Sequence, residues 1–263
     1  MEFKDQINRV FEVTETPKRI ISLVPSQTEL LVNLGLEEFI VGVTKFCVHP
    51  THLRKSKTVV GGTKTINIDK IKALKPDIIL CNKEENTKEI VEACEKIAPT
   101  HVSDIYTLDD SKELILQYGE ILSCETQANR ITEELDDKLN DFQLFIKTKT
   151  VKKVAYFIWR KPWLVAGNNT FINHLLALNK FHNIYTNKER YPEINLQELV
   201  KNGEPDLILL SSEPYPFKEK HIEELKKHCN NAKIILVDGE MFSWYGSRLL
   251  KSFDYFKELQ NIT

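Results

Sequence analysis

Across residues 125 to 147 apolar side chains return every three or four positions, at Ala128, Ile131, Leu135, Leu139, Phe142 and Phe145. The opposite positions carry charge: Glu133, Glu134, Asp136, Asp137, Lys138 and Asp141. That period draws one apolar stripe along a single helix, roughly 35 Å long at about 1.5 Å per residue. Such a rod spans a small domain and can join two lobes without bending. Before it, the pattern switches to short apolar runs that predict buried strands at 20–24, 39–44, 78–81 and 101–103, preceded by an alternating edge strand at 8–14 that Pro17 closes. Helices are predicted from Pro25 to a Gly35 cap, over 86–97 and over 110–122, with a jog at Ser123 and Cys124. After the rod, strands are predicted at 153–158, 207–210 and 233–237, again alternating with helical text.

The two flanks resemble each other. Ile66-Asn67-Ile68-Asp69 leads through Pro76-Asp77 into Ile78-Ile79-Leu80, and Ile194-Asn195-Leu196-Gln197 leads through Pro205-Asp206 into Leu207-Ile208-Leu209-Leu210, one residue longer. Each copy reads as an Asn-capped short helix, a Pro-Asp turn and a buried strand. The fold class is therefore α/β: two Rossmann-like lobes with mostly parallel sheets joined by one long helix. The boundaries fall at 1–122 for the first lobe, 123–150 for the linking helix and 151–263 for the second.

With 263 residues and a net charge of -2, the chain carries no basic footprint for nucleic acid. No apolar run approaches the ~20 residues of a membrane span. Five scattered cysteines without a Cys-x-x-Cys pair argue against a disulfide framework. The start Met1-Glu2-Phe3-Lys4 is charged with no apolar segment behind it, which reads as cytoplasmic, or as periplasmic if a leader has been removed.

Candidate chemistry gathers after the strands of the second half. Trp159, Arg160 and Trp163 leave the strand at 153–158, near the turn Asn168-Asn169 and the helix opened by Thr170, at the strand ends where open α/β sheets hold ligands. Tyr215 stands between Pro214 and Pro216 after the second repeat strand. The run Glu240-Met241-Phe242-Ser243-Trp244-Tyr245-Gly246-Ser247-Arg248 is the least ordinary text in the chain and reads as the wall of a binding site. Flat aromatic faces suit a large planar ligand with apolar edges, with Arg160, Glu240 and Arg248 hydrogen-bonding its peripheral groups. Cys47, His49 and His52 form Cys-x-His-x-x-His, a weak metal motif without a fourth partner; Cys47 or His49 is the candidate ligand to a ring-bound metal. The text of a serine hydrolase, a Walker loop or a zinc protease is absent, and the pair Asp238 and Glu240 reads better as a turn cap than as acid and base.

The stretch Pro17-Lys18-Arg19-Ile20-Ile21-Ser22-Leu23-Val24-Pro25-Ser26-Gln27-Thr28-Glu29, with Gly42-Val43-Thr44, the repeat Asn67-Ile68-Asp69-Lys70-Ile71 through Pro76-Asp77 and its partner Pro205-Asp206, resembles the helical-backbone substrate-binding proteins that feed ABC importers, in particular the vitamin B12 receptors. The resemblance covers nearly the whole chain. It implies a corrinoid (cobalamin-like) or related metal-chelate ligand held between the lobes, no covalent cofactor and no catalytic residue. The partners it implies are that small molecule and an importer membrane subunit, with no nucleic acid and a monomeric receptor. Ser26 in the Pro-Ser-x-Thr-Glu turn joins the ligand set. By position, the aromatic that flanks the ring falls at Phe46, its second-lobe counterpart at Tyr191 before Pro192, and the late acid at Glu240. The acids offered to the importer fall at Asp69 and Glu198. Thr63 and Asn82 stand where tryptophans are expected. The rival expectation is a cytosolic enzyme or metal-chelate chaperone on the same fold.

Overall fold

The computed structural model describes residues 1–199 and 203–263. Two compact units are present: the first comprises Met1–Leu135 and Tyr245–Arg248, the second Asp136–Trp244 and Leu249–Thr263.

The first unit opens with β1 (Glu2–Lys4) and β2 (Val10–Glu12), an antiparallel pair. Its main sheet holds β3 (Ile20–Ser22), β4 (Ile40–Val43), β5 (Thr58–Val59), β6 (Ile78–Asn82) and β7 (Thr100–Ser103). The order is β5-β4-β3-β6-β7 and every pairing is parallel. Parallel strands buried on both faces need continuous apolar runs, and Ile20, Ile21, Ile78, Ile79 and Leu80 are fully buried. The crossings are α1 (Pro25–Asn33), α2 (Leu53–Ser56), α3 (Ile68–Ala73), α4 (Lys88–Glu95) and α5 (Leu108–Ile121). Asn67 caps α3 as expected, accepting from Lys70 N at 2.9 Å. The helix predicted over 86–97 starts later, at a Thr87 cap, because the Asn86 side chain is engaged elsewhere: its Oδ1 accepts from Asn82 N and its Nδ2 donates to Thr63 O, both at 2.9 Å.

The long helix is α6 (Glu125–Ile146). Ala128, Ile131 and Leu135 are buried in the first unit. There α5 comes so near that a Cβ on Gly119 would lie 2.7 Å from Ala128 Cβ. Beyond Leu135 the helix belongs to the second unit, where Phe142 is fully buried with ring centroids 5.6 Å from Phe253 and 6.0 Å from Phe256.

The second unit holds β8 (Lys152–Trp159), β9 (Leu164–Val165), β10 (Phe181–Asn183), β11 (Leu207–Ser211) and β12 (Lys233–Val237). The order is β10-β8-β11-β12, all parallel, with β9 antiparallel on β8. Its helices are α7 (Phe171–Leu178), α8 (Glu219–Lys226), α9 (Glu240–Ser243) and α10 (Leu249–Ile262). The repeated Pro-Asp turns do the same work in each unit. Asp77 Oδ2 accepts from Lys18 N at 2.8 Å while Asp77 N donates to Arg19 O at 2.9 Å. Asp206 Oδ2 accepts from Lys153 N at 2.7 Å while Asp206 N donates to Lys153 O at 2.8 Å. Each aspartate thereby ties the start of one central strand to the start of its neighbour. The short helix expected in the second copy differs: Asn195 opens only a 3-10 turn, Leu196–Glu198, and the remainder of that stretch, 200–202, lies outside the described residues.

Candidate functional site

Only two aromatic side chains are exposed among the described residues: Phe46, 48 % exposed, and Trp159, 38 %. Phe46 follows the carboxyl end of β4, and Trp159 is the last residue of β8. Large apolar rings are ordinarily turned inward, so two that face water at strand carboxyl ends mark the faces where α/β sheets take ligands.

In the first unit, the loops after β3, β6 and β7 close over a buried polar network. Tyr118 Oη donates to Gln27 Oε1 at 2.9 Å, and Gln27 Nε2 reaches Ser103 Oγ at 2.7 Å, Tyr245 Oη at 3.0 Å and Cys81 O at 3.2 Å. Asn82 Nδ2 donates to Ser103 Oγ at 2.9 Å, and Asn82 Oδ1 receives the amides of Glu84 and Glu85. Asn82 and Thr63, where the resemblance implies tryptophan, are thus buried polar residues: Asn82 holds loop backbone, and the Thr63 carbonyl is held by Asn86 Nδ2. Ser26 is buried in the first turn of α1, beside the Tyr245 phenol.

The segment after α9 behaves differently from the expected site wall. Tyr245 is 6 % exposed and its phenol, pushed up by burial, belongs to the Gln27 network. Arg248 is 4 % exposed, and its Nε donates to Glu29 Oε2 at 2.8 Å. Gly246 adopts a φ of +78°, and its N donates to Ser111 Oγ at 2.9 Å while Ser247 Oγ accepts from Asn33 Nδ2 at 2.8 Å. Tyr245 and Arg248 therefore clamp this turn onto α1, and the Gly246 amide ties it to α5. Buried polar groups must find partners inside the protein, and the Tyr245 phenol and the Arg248 Nε have found theirs.

In the second unit, Trp159 packs edge-on against Tyr215, centroids 5.6 Å apart. Tyr215 Oη lies 3.2 Å from His221 Nε2, and burial holds the His221 imidazole below its usual range. Arg160 makes a two-pronged pair with Glu224 at 2.9 and 3.0 Å, which lowers the Glu224 carboxyl and raises the guanidinium. Trp163 turns inward, stacked on Phe217 at 6.0 Å and 12° and packed on the unit's core. Trp244 is 7 % exposed and its Nε1 donates to Glu213 Oε1 at 2.9 Å, an oxygen that also accepts from Ser243 Oγ at 2.7 Å. Burial raises the Glu213 carboxyl above the usual carboxylate range. Tyr191 is half-buried with the Arg190 guanidinium 5.7 Å from its ring. Glu240 opens α9, its N donating to Asp238 Oδ1 at 3.0 Å. Trp159, Tyr215, Trp163 and Arg160 are brought together; Tyr191 and Glu240 are not linked to them by any of these contacts.

The Cys-x-His-x-x-His text does not assemble. Cys47 is buried with its sulfur 3.1 Å from Thr28 Oγ1 and 3.3 Å from Thr44 Oγ1, and burial pushes the thiol up, away from the thiolate that metals bind. His52 pairs instead with Glu37 at 2.6 Å. Among the described residues no group of three or more His, Cys, Asp and Glu side chains is arranged to hold a metal ion. All five cysteines are free and buried. Asp69 is exposed in the first turn of α3, and the Glu198 side chain lies outside the described residues. Residues that the sequence reading passed over include Lys45 beside Phe46, Gly62 beneath it, Glu213 and His221; the Gly61-Gly62 pair was the one signal available for the first two.

Residues 20–234 match the family model described as periplasmic binding protein. The ABC transporter substrate-binding lipoprotein YvrC of Bacillus subtilis is 26 % identical over 275 residues, covering 97 % of this chain and 83 % of that protein. The periplasmic vitamin B12 binding protein BtuF of Vibrio cholerae superposes with a TM-score of 0.80 at 20 % identity, over 94 % of this chain and 98 % of that one. A periplasmic heme binding protein from Pseudomonas aeruginosa gives 0.82 at 21 % identity, over 94 % of each chain.

Proposed function

Because the chain belongs to the periplasmic binding protein family, a family of substrate-binding proteins and not of enzymes, we propose that it is the receptor of an ABC importer and carries a flat metal chelate, a cobalamin-like corrinoid in the first place. The observation that carries this reading is the pair of exposed rings, Phe46 after β4 and Trp159 at the end of β8. An exposed aromatic at a strand carboxyl end has apolar area to bury, and a planar ring of corrinoid or porphyrin type offers a matching face. Tyr215 packs on Trp159, and Arg160, next in the chain, stands over the Trp163 ring, so an apolar face and a polar edge of the ligand would both meet side chains there. Ser26 after β3, Tyr191 after β10 and Glu240 after β12 are proposed to add to the ligand's surroundings, and Asp69, with Glu198, is proposed to face the importer.

The relatives bear names of receptors for vitamin B12 and for heme, and the same aromatic faces accommodate either ring. Their names are those of periplasmic proteins or lipoproteins, so we place the working protein outside the cytoplasmic membrane and not, as the charged start suggested, in the cytoplasm. Among the described residues no helix is long and apolar enough to cross a membrane. Titration of the purified protein with cyanocobalamin, haemin and a ferric catecholate siderophore, followed by tryptophan fluorescence, tests the reading. Saturable quenching by the corrinoid supports it, quenching by haemin or the siderophore alone reassigns the ligand, and silence with all three refutes it.

A further inference from the structure

Lys45 and Phe46 leave β4 together and both are exposed. Lys45 Nζ stands 5.0 Å from the centroid of the Phe46 ring, a cation over the more exposed of the two rings that face water. The pair rests on Gly62, where a Cβ would come 3.1 Å from Phe46 Cε2 and 3.3 Å from Lys45 Cε. Both distances are inside the roughly 3.5–4.0 Å of ordinary carbon contact. The absence of a side chain at Gly62 therefore lets ring and lysine stem lie where they do. The backbone beneath is fixed: Lys45 N donates to Gly61 O at 2.8 Å, and Lys45 O accepts from Arg54 Nη1 at 3.1 Å. The next residue, Thr63, is itself pinned through its carbonyl by Asn86.

We propose that Lys45 reads an anionic substituent of the ligand, a carboxylate or a phosphate at the edge of its flat face, while Phe46 seats the adjoining apolar surface and Gly62 sets the height of both. The proposal rests on the reading that Phe46 meets a flat ligand. An ammonium over a solvent-exposed ring is weakly held, whereas a hydrogen bond from an ammonium to an anion is among the stronger polar contacts. An acidic group arriving at the edge of Phe46 takes the ammonium from the ring, and the ring is freed to stack.

The test uses probes that differ at the anionic group: haemin against its dimethyl ester, and cyanocobalamin against dicyanocobinamide, which lacks the phosphate-bearing nucleotide arm. Affinities are measured by calorimetry for the wild type, Lys45→Gln and Gly62→Ala. The wild type should prefer the anionic member of whichever pair it binds, and K45Q should lose that preference, a change on the order of tenfold to a hundredfold. G62A should weaken binding with its melting temperature unchanged, because the displaced groups are exposed. Equal affinity for the acid and its neutral counterpart, or a K45Q variant that keeps the preference, overturns this inference and leaves the proposed function standing. If the wild type binds none of the four, the proposed function fails and this inference with it.

Discussion

Replacing Arg248 by methionine removes a cation from the most deeply buried ion pair among the described residues. Both side chains of the pair with Glu29 are 5 % exposed, against 22 % and 34 % for Arg160 and Glu224. Taking one partner away leaves the Glu29 carboxylate inside the first unit, between α1 and the Gly246–Arg248 turn, with little water to replace the guanidinium. The expected cost is about 3–5 kcal/mol, most of it the uncompensated charge and not the intrinsic worth of the pair. The double variant R248M/E29L removes both charges and should recover most of the loss. Urea unfolding at pH 7 measures each variant, and the double-mutant cycle isolates the coupling. If R248M alone costs under about 1 kcal/mol, the pair behaves as an exposed one, and the view that this turn is clamped by its arginine is wrong.

Three other outcomes follow from the same contacts. Trp159→Ala should weaken ligand binding by about 2–4 kcal/mol, as loss of an aromatic anchor does, with stability little changed because the ring is already exposed; calorimetry and a thermal melt separate the two. Gly119→Ala should destabilise by about 1–3 kcal/mol through overpacking of α5 on α6 at Ala128, seen as a lower melting temperature. Glu213 carries a pH signature. Burial raises its folded carboxyl above the ordinary value near 4.5, so the folded state holds more protons than the unfolded one between those two values, and stability falls as pH rises through that window. Glu213→Gln keeps an oxygen to accept from Ser243 and Trp244 while removing the charge. It should gain stability over the wild type above the window and none below it, and an equal difference at all pH values would refute the assignment.

The long helix was legible because a 3.6-residue period sustained over six turns admits few alternatives, and it ends at Ile146, one residue before the expected limit. The Pro-Asp repeat was legible for a related reason: an apolar strand preceded by a turn residue has few ways to begin. Strand β10, with only Phe181, His182 and Asn183, carries no period that a sequence reading can detect. Helix α8 was missed because its exposed face is nearly all charge. The partners of the run ending in Arg248 were not legible, because aromatic and basic residues beside a glycine read like a surface. Nothing local reveals that Glu29 and Gln27, more than two hundred residues earlier, are waiting to satisfy it. Trp159 and Trp163 looked equivalent in sequence, yet one ends its strand facing water and the other folds back on Phe217.

The most direct measurement is an isothermal titration of cyanocobalamin into the wild type and into a Phe46→Ala/Trp159→Ala variant at equal concentration. The account predicts saturable one-to-one binding that the double substitution abolishes while the melting temperature holds. Undiminished affinity in the variant would mean that the exposed rings are not where this protein meets its ligand.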